Sequence, residues 1–298
     1  MRRASLGSAV MLLACGVAPA VAQPFEQAGV RAQGMGGAFV AVADDASAAW
    51  WNPAGLASGP FFNLLLEHQQ QTDTKDTVSA LALATPPLGL SYQRVRYAIA
   101  PAASGSSDRE IRSGDLHTRP LVAHEAGVTV LHSVTSGFVV GSTLKFVRGV
   151  IGDRGTSRVD LDLGVHYRVG SLRAGLIVRS VTEPSFHLPE GGDLTQERQV
   201  RGGVAWTAAG STIVAVDLDL TEVRGLTPGR RLALGAERQW HQRWAARGGV
   251  RFRTSDGPDP WVSLGGSYAL KPGVWVDGFW GRSPNQDARW GVSGRVAY

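Results

Sequence analysis

Val159-Asp160-Leu161-Asp162-Leu163-Gly164-Val165-His166-Tyr167-Arg168 is followed by Val169-Gly170-Ser171 and then by Leu172-Arg173-Ala174-Gly175-Leu176-Ile177-Val178-Arg179-Ser180. In the first run Val159, Leu161, Leu163, Val165 and Tyr167 fall on one face, and Asp160, Asp162, His166 and Arg168 on the other. A period of two is that of a half-buried strand, whose successive side chains point to opposite faces. Three residues then reverse the chain and a second run begins. The unit recurs outward in both directions. Val214, Val216, Leu218 and Leu220 oppose Asp217 and Asp219; Trp244, Ala246, Gly248, Val250 and Phe252 oppose Arg247, Arg251 and Arg253; Trp290, Val292, Val296 and Tyr298 oppose Arg289, Ser293 and Arg295.

Read this way, the chain predicts fourteen strands, at 61–68, 77–84, 88–97, 121–131, 137–147, 158–168, 172–180, 198–207, 212–220, 231–239, 244–253, 261–270, 274–281 and 288–298. A soluble sandwich would alternate as well, so the connectors decide. Thr85–Pro87, His132–Ser136, Val169–Ser171, Ala208–Ser211, Trp240–Arg243 and Lys271–Gly273 hold three to five residues each. The others, such as Ala98–Pro120 and Val181–Glu197, are polar and run from six residues to twenty-three. Short turns at one end and long loops at the other are the pattern of a transmembrane antiparallel β-barrel. Lipid offers no water to an open sheet edge, so the sheet must close. An even strand number puts both ends of the meander on the side of the short turns.

Composition agrees. No run of eighteen apolar residues follows the N-terminus, so no spanning helix is expected. Mean hydropathy is −0.05, as expected where polar lumen residues alternate with lipid-facing ones. Arg2 and Arg3, the apolar run Ala9–Ala18 and the Ala20-Val21-Ala22 site read as a signal peptide over residues 1–22, cut before Gln23. Leu12-Leu13-Ala14-Cys15 competes as an imperfect lipobox. Loss of the signal removes the one cysteine and two arginines, which lowers the formal charge from +5 to +3. The remaining arginines are scattered, so no nucleic-acid footprint is read.

Residues 23–60 differ from the barrel, 61–298. They are rich in Ala and Gly and hold Gly34-Met35-Gly36-Gly37, Asp44-Asp45 and Trp50-Trp51-Asn52-Pro53-Ala54-Gly55. This predicts a compact, partly helical plug in the lumen. Ala43–Ala49 would form one or two helical turns capped by Asp44 or Asp45 and ended by Pro53 and Gly55. Gly34, Gly36 and Gly37 would let the backbone turn against the wall. Trp50 and Trp51 would wedge the plug, and the two aspartates would cap or meet lumen arginines. The glycine cluster is no phosphate cradle, because no strand precedes it and no Lys-Ser/Thr pair follows.

Hairpin register sets opposite charges on the lumen face: Asp162 opposite Arg179, Arg201 beside Asp217 and Asp219, and Glu237 opposite Arg247. These either cross-brace a hydrated interior or form a selectivity ladder. Trp275 and Phe279, flanking Asp277, would line a lumen pocket. Trp206, Trp240 and Trp244 sit near short turns and Trp261, Trp280 and Trp290 near long loops, as two interfacial girdles would. The seven histidines are dispersed; no metal spacing and no Ser-His-acid set emerges, so neither catalysis nor a cofactor or metal is expected.

The segment Gly29-Val30-Arg31-Ala32-Gln33-Gly34-Met35-Gly36-Gly37-Ala38-Phe39-Val40-Ala41-Val42-Ala43-Asp44-Asp45, followed by Trp51-Asn52-Pro53-Ala54-Gly55-Leu56, resembles the N-terminal signature of the FadL superfamily of Gram-negative outer-membrane proteins. It is most similar to the shorter PorV/PorQ-like branch. The resemblance implies a fourteen-stranded barrel with the N-terminal segment folded inside as a hatch, to which Asn52, Pro53 and Ala54 belong. It implies residence in outer-membrane lipid and insertion by the barrel-assembly machinery, for which the terminal Tyr298 resembles the aromatic signal. The transporter branch moves hydrophobic compounds and releases them sideways past a kinked strand, for which Gly89 is the candidate here. Two functions therefore compete. One is a conduit for a hydrophobic small-molecule ligand; the other is a scaffold or shuttle with a protein partner in an envelope or secretion assembly.

Overall fold

The computed structural model describes residues 28–99, 119–151, 154–187, 193–208, 211–222, 229–254, 260–284 and 286–298. The expected signal peptide and most of Ala98–Pro120 lie outside them. The strands are β1 Asn63–Gln71, β2 Thr77–Thr85, β3 Leu88–Ile99, β4 Arg119–Thr135, β5 Phe138–Ile151, β6 Arg154–Val169, β7 Leu172–Arg179, β8 Ser185–His187, β9 Asp193–Thr195, β10 Gln199–Ala208, β11 Thr212–Asp219, β12 Arg231–Trp240, β13 Trp244–Arg253, β14 Trp261–Lys271, β15 Val274–Ser283 and β16 Gln286–Ala297. All except β8 and β9 form one closed antiparallel barrel of fourteen strands. Closure joins β1 to β16, from Asn63 opposite Ala297 to Gln71 opposite Arg289.

The fourteen expected strands are the barrel strands, with two differences. β4, β5 and β6 hold 17, 14 and 16 residues and are longer than expected. Their ladder carries on from Arg148–Ser157 to Ile151–Arg154, so the connector read as a loop is mainly paired strand. β-Branched Val150, Ile151 and Thr156 favour that ribbon. The second difference is the β8–β9 hairpin inside Val181–Glu197. It forms because Phe186 buries its ring; a Cβ at Gly149 of β5 would stand 3.2 Å from it.

Alternation sorts the faces as the sequence implies. Val159, Leu163 and Tyr167 point outward and are exposed, while Asp160, Asp162 and His166 point inward and are buried. The same holds for Val214, Val216 and Leu218 against Asp217 and Asp219. An outward face of Leu, Val and aromatic residues around a polar interior suits lipid, not water. Trp206, Trp240, Trp244, Trp280 and Trp290 face outward, as a girdle requires. Trp261 does not. It is 4% exposed and shares the inward face of Ser263, with Arg251 and Arg289 at 5.3 and 5.9 Å from its ring. Its place in the period of two, rather than its nearness to a long loop, sets its direction.

Val204 is exposed on the outward face midway along β10. Val204→Arg is expected to lower the unfolding free energy by about 2–4 kcal/mol if the site lies near the bilayer midplane. A urea titration of the heat-modifiable gel shift in lipid vesicles checks this, with Ala208→Arg, at the outward register position nearest the turn, expected to cost much less.

Candidate functional site

The lumen is filled by residues 28–60. Here α1 Val30–Gly34 is followed by turns, α2 Ala48–Trp51 and a 3-10 helix Pro53–Ser58. Such short helices are not stable alone. Their stability comes from burial: Met35, Phe39, Val40, Val42, Trp51 and Leu56 are each no more than 2% exposed. The helix expected at Ala43–Ala49 starts at Ala48 instead. Asp44 is drawn away to arginines, and Asp45 accepts from Ser47 N at 2.9 Å to form the turn before it. Pro53 does end α2, but it also opens the 3-10 helix, at a position where its missing N–H is not needed. Asn52 joins the two. Its amide donates to Val40 O at 2.9 Å and to Val165 O of β6 at 3.0 Å, while its Oδ1 accepts from Ala54 N at 3.2 Å. Gly55 lies against Ala43 O, where a side chain would not fit.

The hatch meets the wall backbone to backbone. Gly36 has φ 69 and Gly37 φ 86, the left-handed region that favours glycine. A Cβ on Gly36 would be 2.8 Å from Val250 N, and one on Gly34 2.9 Å from the Arg247 side chain. The wall is hollowed to match. Inward Gly141 and Gly175 would place a Cβ 2.6 Å from Ala54 N and 2.5 Å from Val40 O. Much of the glycine in the strands is therefore the imprint of the hatch.

Carboxylates on the wall take amide protons of the hatch. Glu67 of β1 accepts from Gly29 N at 2.7 Å and Val30 N at 2.9 Å. Asp217 of β11 accepts from Phe39 N at 2.7 Å and Val40 N at 2.8 Å. Wall donors reach the hatch too: Arg179 donates to Trp50 O at 2.6 Å and lies 5.3 Å from the Trp51 ring.

Arg31, on α1, is the central cation. It pairs with Asp44 at 2.5 Å, Asp45 at 3.1 Å and Glu237 of β12 at 2.6 Å. Asp44 also meets Arg173 of β7 at 3.1 Å. Burial pushes the Asp44 carboxyl up, but Arg31 and then Arg173 outweigh it and hold it below its ordinary value. Burial works against the Arg31 charge as well; Asp44 and Glu237 reverse this and raise its pKa.

The expected lumen pairs resolve as follows. Arg201 and Asp219 pair at 2.5 Å, and Arg247 and Glu237 at 2.9 Å. Asp217 shares that face but serves the hatch backbone. Asp162 lies beside Arg179 in register, one step past the Leu163–Val178 pair. Its carboxylate is held by Lys145 of β5 at 2.7 Å, a cation absent from the expected set. These charges brace the wall and fasten the hatch rather than standing in an open ladder. Trp275 and Phe279 are both on the inward-facing side of β15. They lie four residues apart on one strand, about 13 Å, and Asp277 between them gathers Arg247, Arg295, Ser267 and Ser293. Trp275 borders a polar recess of about 280 Å³ beside Arg31 and Arg295, while Phe279 packs against Gly291 and Gln69. Gly89 shows no kink; β3 pairs on both sides through it, and its inward face meets Leu56 of the hatch. Tyr298 at the chain end bonds to Phe62 by both N and O at 2.9 Å.

Sequence reading missed an apolar strip on the lumen wall. Val78 lies beside Val95, Val95 beside Ala123, and Ala123 beside Gly149, with Phe186 over the last. Val78 and Val95 join the same apolar cluster as Trp50 and Leu56. The signal was present as inward alternation on β2–β5. It becomes a strip only once the strands are set side by side.

The fold and site thus define a closed fourteen-stranded barrel with a plugged lumen. No family model and no curated protein matches the chain. Solved structures do match its fold. The CymD monoaromatic hydrocarbon channel superposes with TM-score 0.69 at 14% identity, over 91% of this chain and 97% of that one. The Pseudomonas putida toluene transporter TodX gives 0.63 at 12% identity, over 92% and 98%. A Pseudomonas aeruginosa FadL homologue gives 0.62 at 11% identity, over 94% and 99%.

Arg31→Met should loosen the docked hatch by at most about 3–5 kcal/mol, because it leaves Asp44 with Arg173 and Glu237 with Arg247 as their remaining cations. Faster proteolysis within residues 28–60, with the barrel intact, is the readout. Because the Asp44 pKa is lowered on docking, its contribution is complete above the ordinary carboxylate range and fades as pH falls through the lower docked value. Acid titration of Trp50 and Trp51 fluorescence should show this loosening, and Asp44→Asn should remove that dependence.

Proposed function

We propose that this protein is an outer-membrane conduit for small hydrophobic molecules, gated by its N-terminal hatch. The observation that carries the reading is the apolar strip from Phe186 through Ala123, Val95 and Val78 to the hatch core. Val78, Val95 and Ala123 are at most 2% exposed, and a shift of the hatch would open them to an uncharged molecule as an apolar surface apart from the arginines Arg201, Arg251 and Arg289 of the other strands. Burying a small apolar solute along it is favourable at roughly 25 cal/mol per Å². The likeness in fold to hydrocarbon channels and a toluene transporter supports the same substrate class. Entry would be at the long-loop end beside Phe186. Passage then needs the hatch to shift, breaking the Arg31–Glu237 and Asp44–Arg173 pairs.

The strength of those pairs favours a second reading: a permanently sealed barrel that acts as a scaffold or shuttle for an envelope or secretion partner. The resemblance to the PorV/PorQ-like branch supports that alternative.

Uptake of radiolabelled toluene and of a long-chain fatty acid into vesicles separates the two. The conduit predicts uptake above empty vesicles, a rise with Arg31→Met, and a fall with Val95→Asp, which charges the strip. Uptake equal to empty vesicles for both proteins and both solutes contradicts it.

A further inference from the structure

The outward faces of β1–β5 carry one row that breaks the apolar pattern. Register sets His68 beside Ser79, Ser79 beside Arg94, Arg94 beside His124, and His124 beside Arg148. The row one step nearer the short turns runs Leu66, Leu81, Tyr92, Ala126, Phe146. Arg96 stands one outward step beyond Arg94. Arg94, Arg96 and Arg148 are all exposed, and among the described residues no carboxylate pairs with any of them. Tyr92 Oη and His124 Nδ1 share a hydrogen bond at 2.8 Å, which fixes the ring between Arg94 and Arg148. His68 Nδ1 and Ser79 Oγ are 3.0 Å apart.

A second observation adjoins the first. Leu66, Leu81, Val276, Val292 and Gly294 border a depression of about 610 Å³ in the same outer wall, with His68, Ser79 and Tyr92 also on its border. Gly294 helps to open it: a Cβ there would have no heavy atom within 4 Å. Unpaired arginines are least costly at the headgroup layer, and phosphate oxygens are the partner that guanidinium forks fit best. The row lies on the long-loop side of the apolar face. It therefore meets the outer leaflet.

We propose that this surface binds a phosphorylated glycolipid of the outer leaflet. Arg94, Arg96 and Arg148 hold its phosphate, and the depression seats one of its acyl chains. The site lies wholly on the lipid side, so it does not depend on whether solutes cross the lumen.

Native mass spectrometry of the full chain in detergent, titrated with diphosphoryl lipid A, dephosphorylated lipid A and inorganic phosphate, tests this. The wild type should retain the diphosphoryl lipid about tenfold more tightly than the dephosphorylated one, and the triple variant Arg94→Gln/Arg96→Gln/Arg148→Gln should lose that preference. Gly294→Leu should weaken the lipid several-fold by filling the depression. Arg238→Gln, an outward arginine near a short turn, should bind as the wild type does. Each variant must keep its heat-modifiable shift. Equal binding of both lipids, an unchanged triple variant, or loss of lipid equally in Arg238→Gln overturns the proposal. So does unchanged binding in Gly294→Leu, or complete displacement by inorganic phosphate, which marks an adventitious ion only.

Discussion

Two carboxylates on the barrel wall, Glu67 and Asp217, accept the amide protons of Gly29, Val30, Phe39 and Val40, and the interior is organised around these four bonds. A hatch of short helices and turns leaves many backbone donors unpaired, and burying an unpaired donor costs about 1–3 kcal/mol. The wall supplies acceptors at the positions where the hatch lacks them. Hatch and barrel are thus one hydrogen-bonded structure. The same logic extends outward. In lipid a sheet must close, and its closed lumen must then be filled by something polar enough to satisfy its lining.

Shape and charge follow from this contact. Inward glycines let the hatch backbone come within touching distance of the wall, and Arg31 draws Asp44, Asp45 and Glu237 to one point. The result is lopsided. Arginines of β10, β12, β13 and β16 line one side of the lumen, while Val78, Val95 and Ala123 form an apolar row at the long-loop end of the other side, beside Gln93 and Glu125. A neutral hydrophobic solute would find its path on the second side. The exterior carries a cluster of its own: Arg94 and Arg96 of β3 with Arg148 of β5, none paired with a carboxylate among the described residues.

The barrel itself was legible in the sequence because its causes are local. The period of two in Val159–Arg168, repeated between short turns, shows strand, face and register together, and the pairing of Glu237 with Arg247 follows from counting residues from a turn. What was not legible depends on residues far apart in the chain. Trp261 looked like a girdle residue until its face was known. Lys145 of β5 takes Asp162 across the β5–β6 ladder, on the opposite side of β6 from the short turn that set Asp162 against Arg179. Trp275 and Phe279 share a face, but Asp277 between them gathers the neighbouring polar groups. The glycines of the wall reveal their purpose only with the hatch in place, because the segment that they accommodate lies far off in the chain.

Hydrogen exchange at the Phe39 and Val40 amides, measured in lipid vesicles at neutral pH, tests the central claim most directly. If Asp217 holds them within a sealed lumen, they should exchange as slowly as the amides of β11, and Asp217→Asn should speed them without opening the barrel. Exchange within seconds in the unaltered protein, at the rate of a surface loop, would contradict a docked hatch.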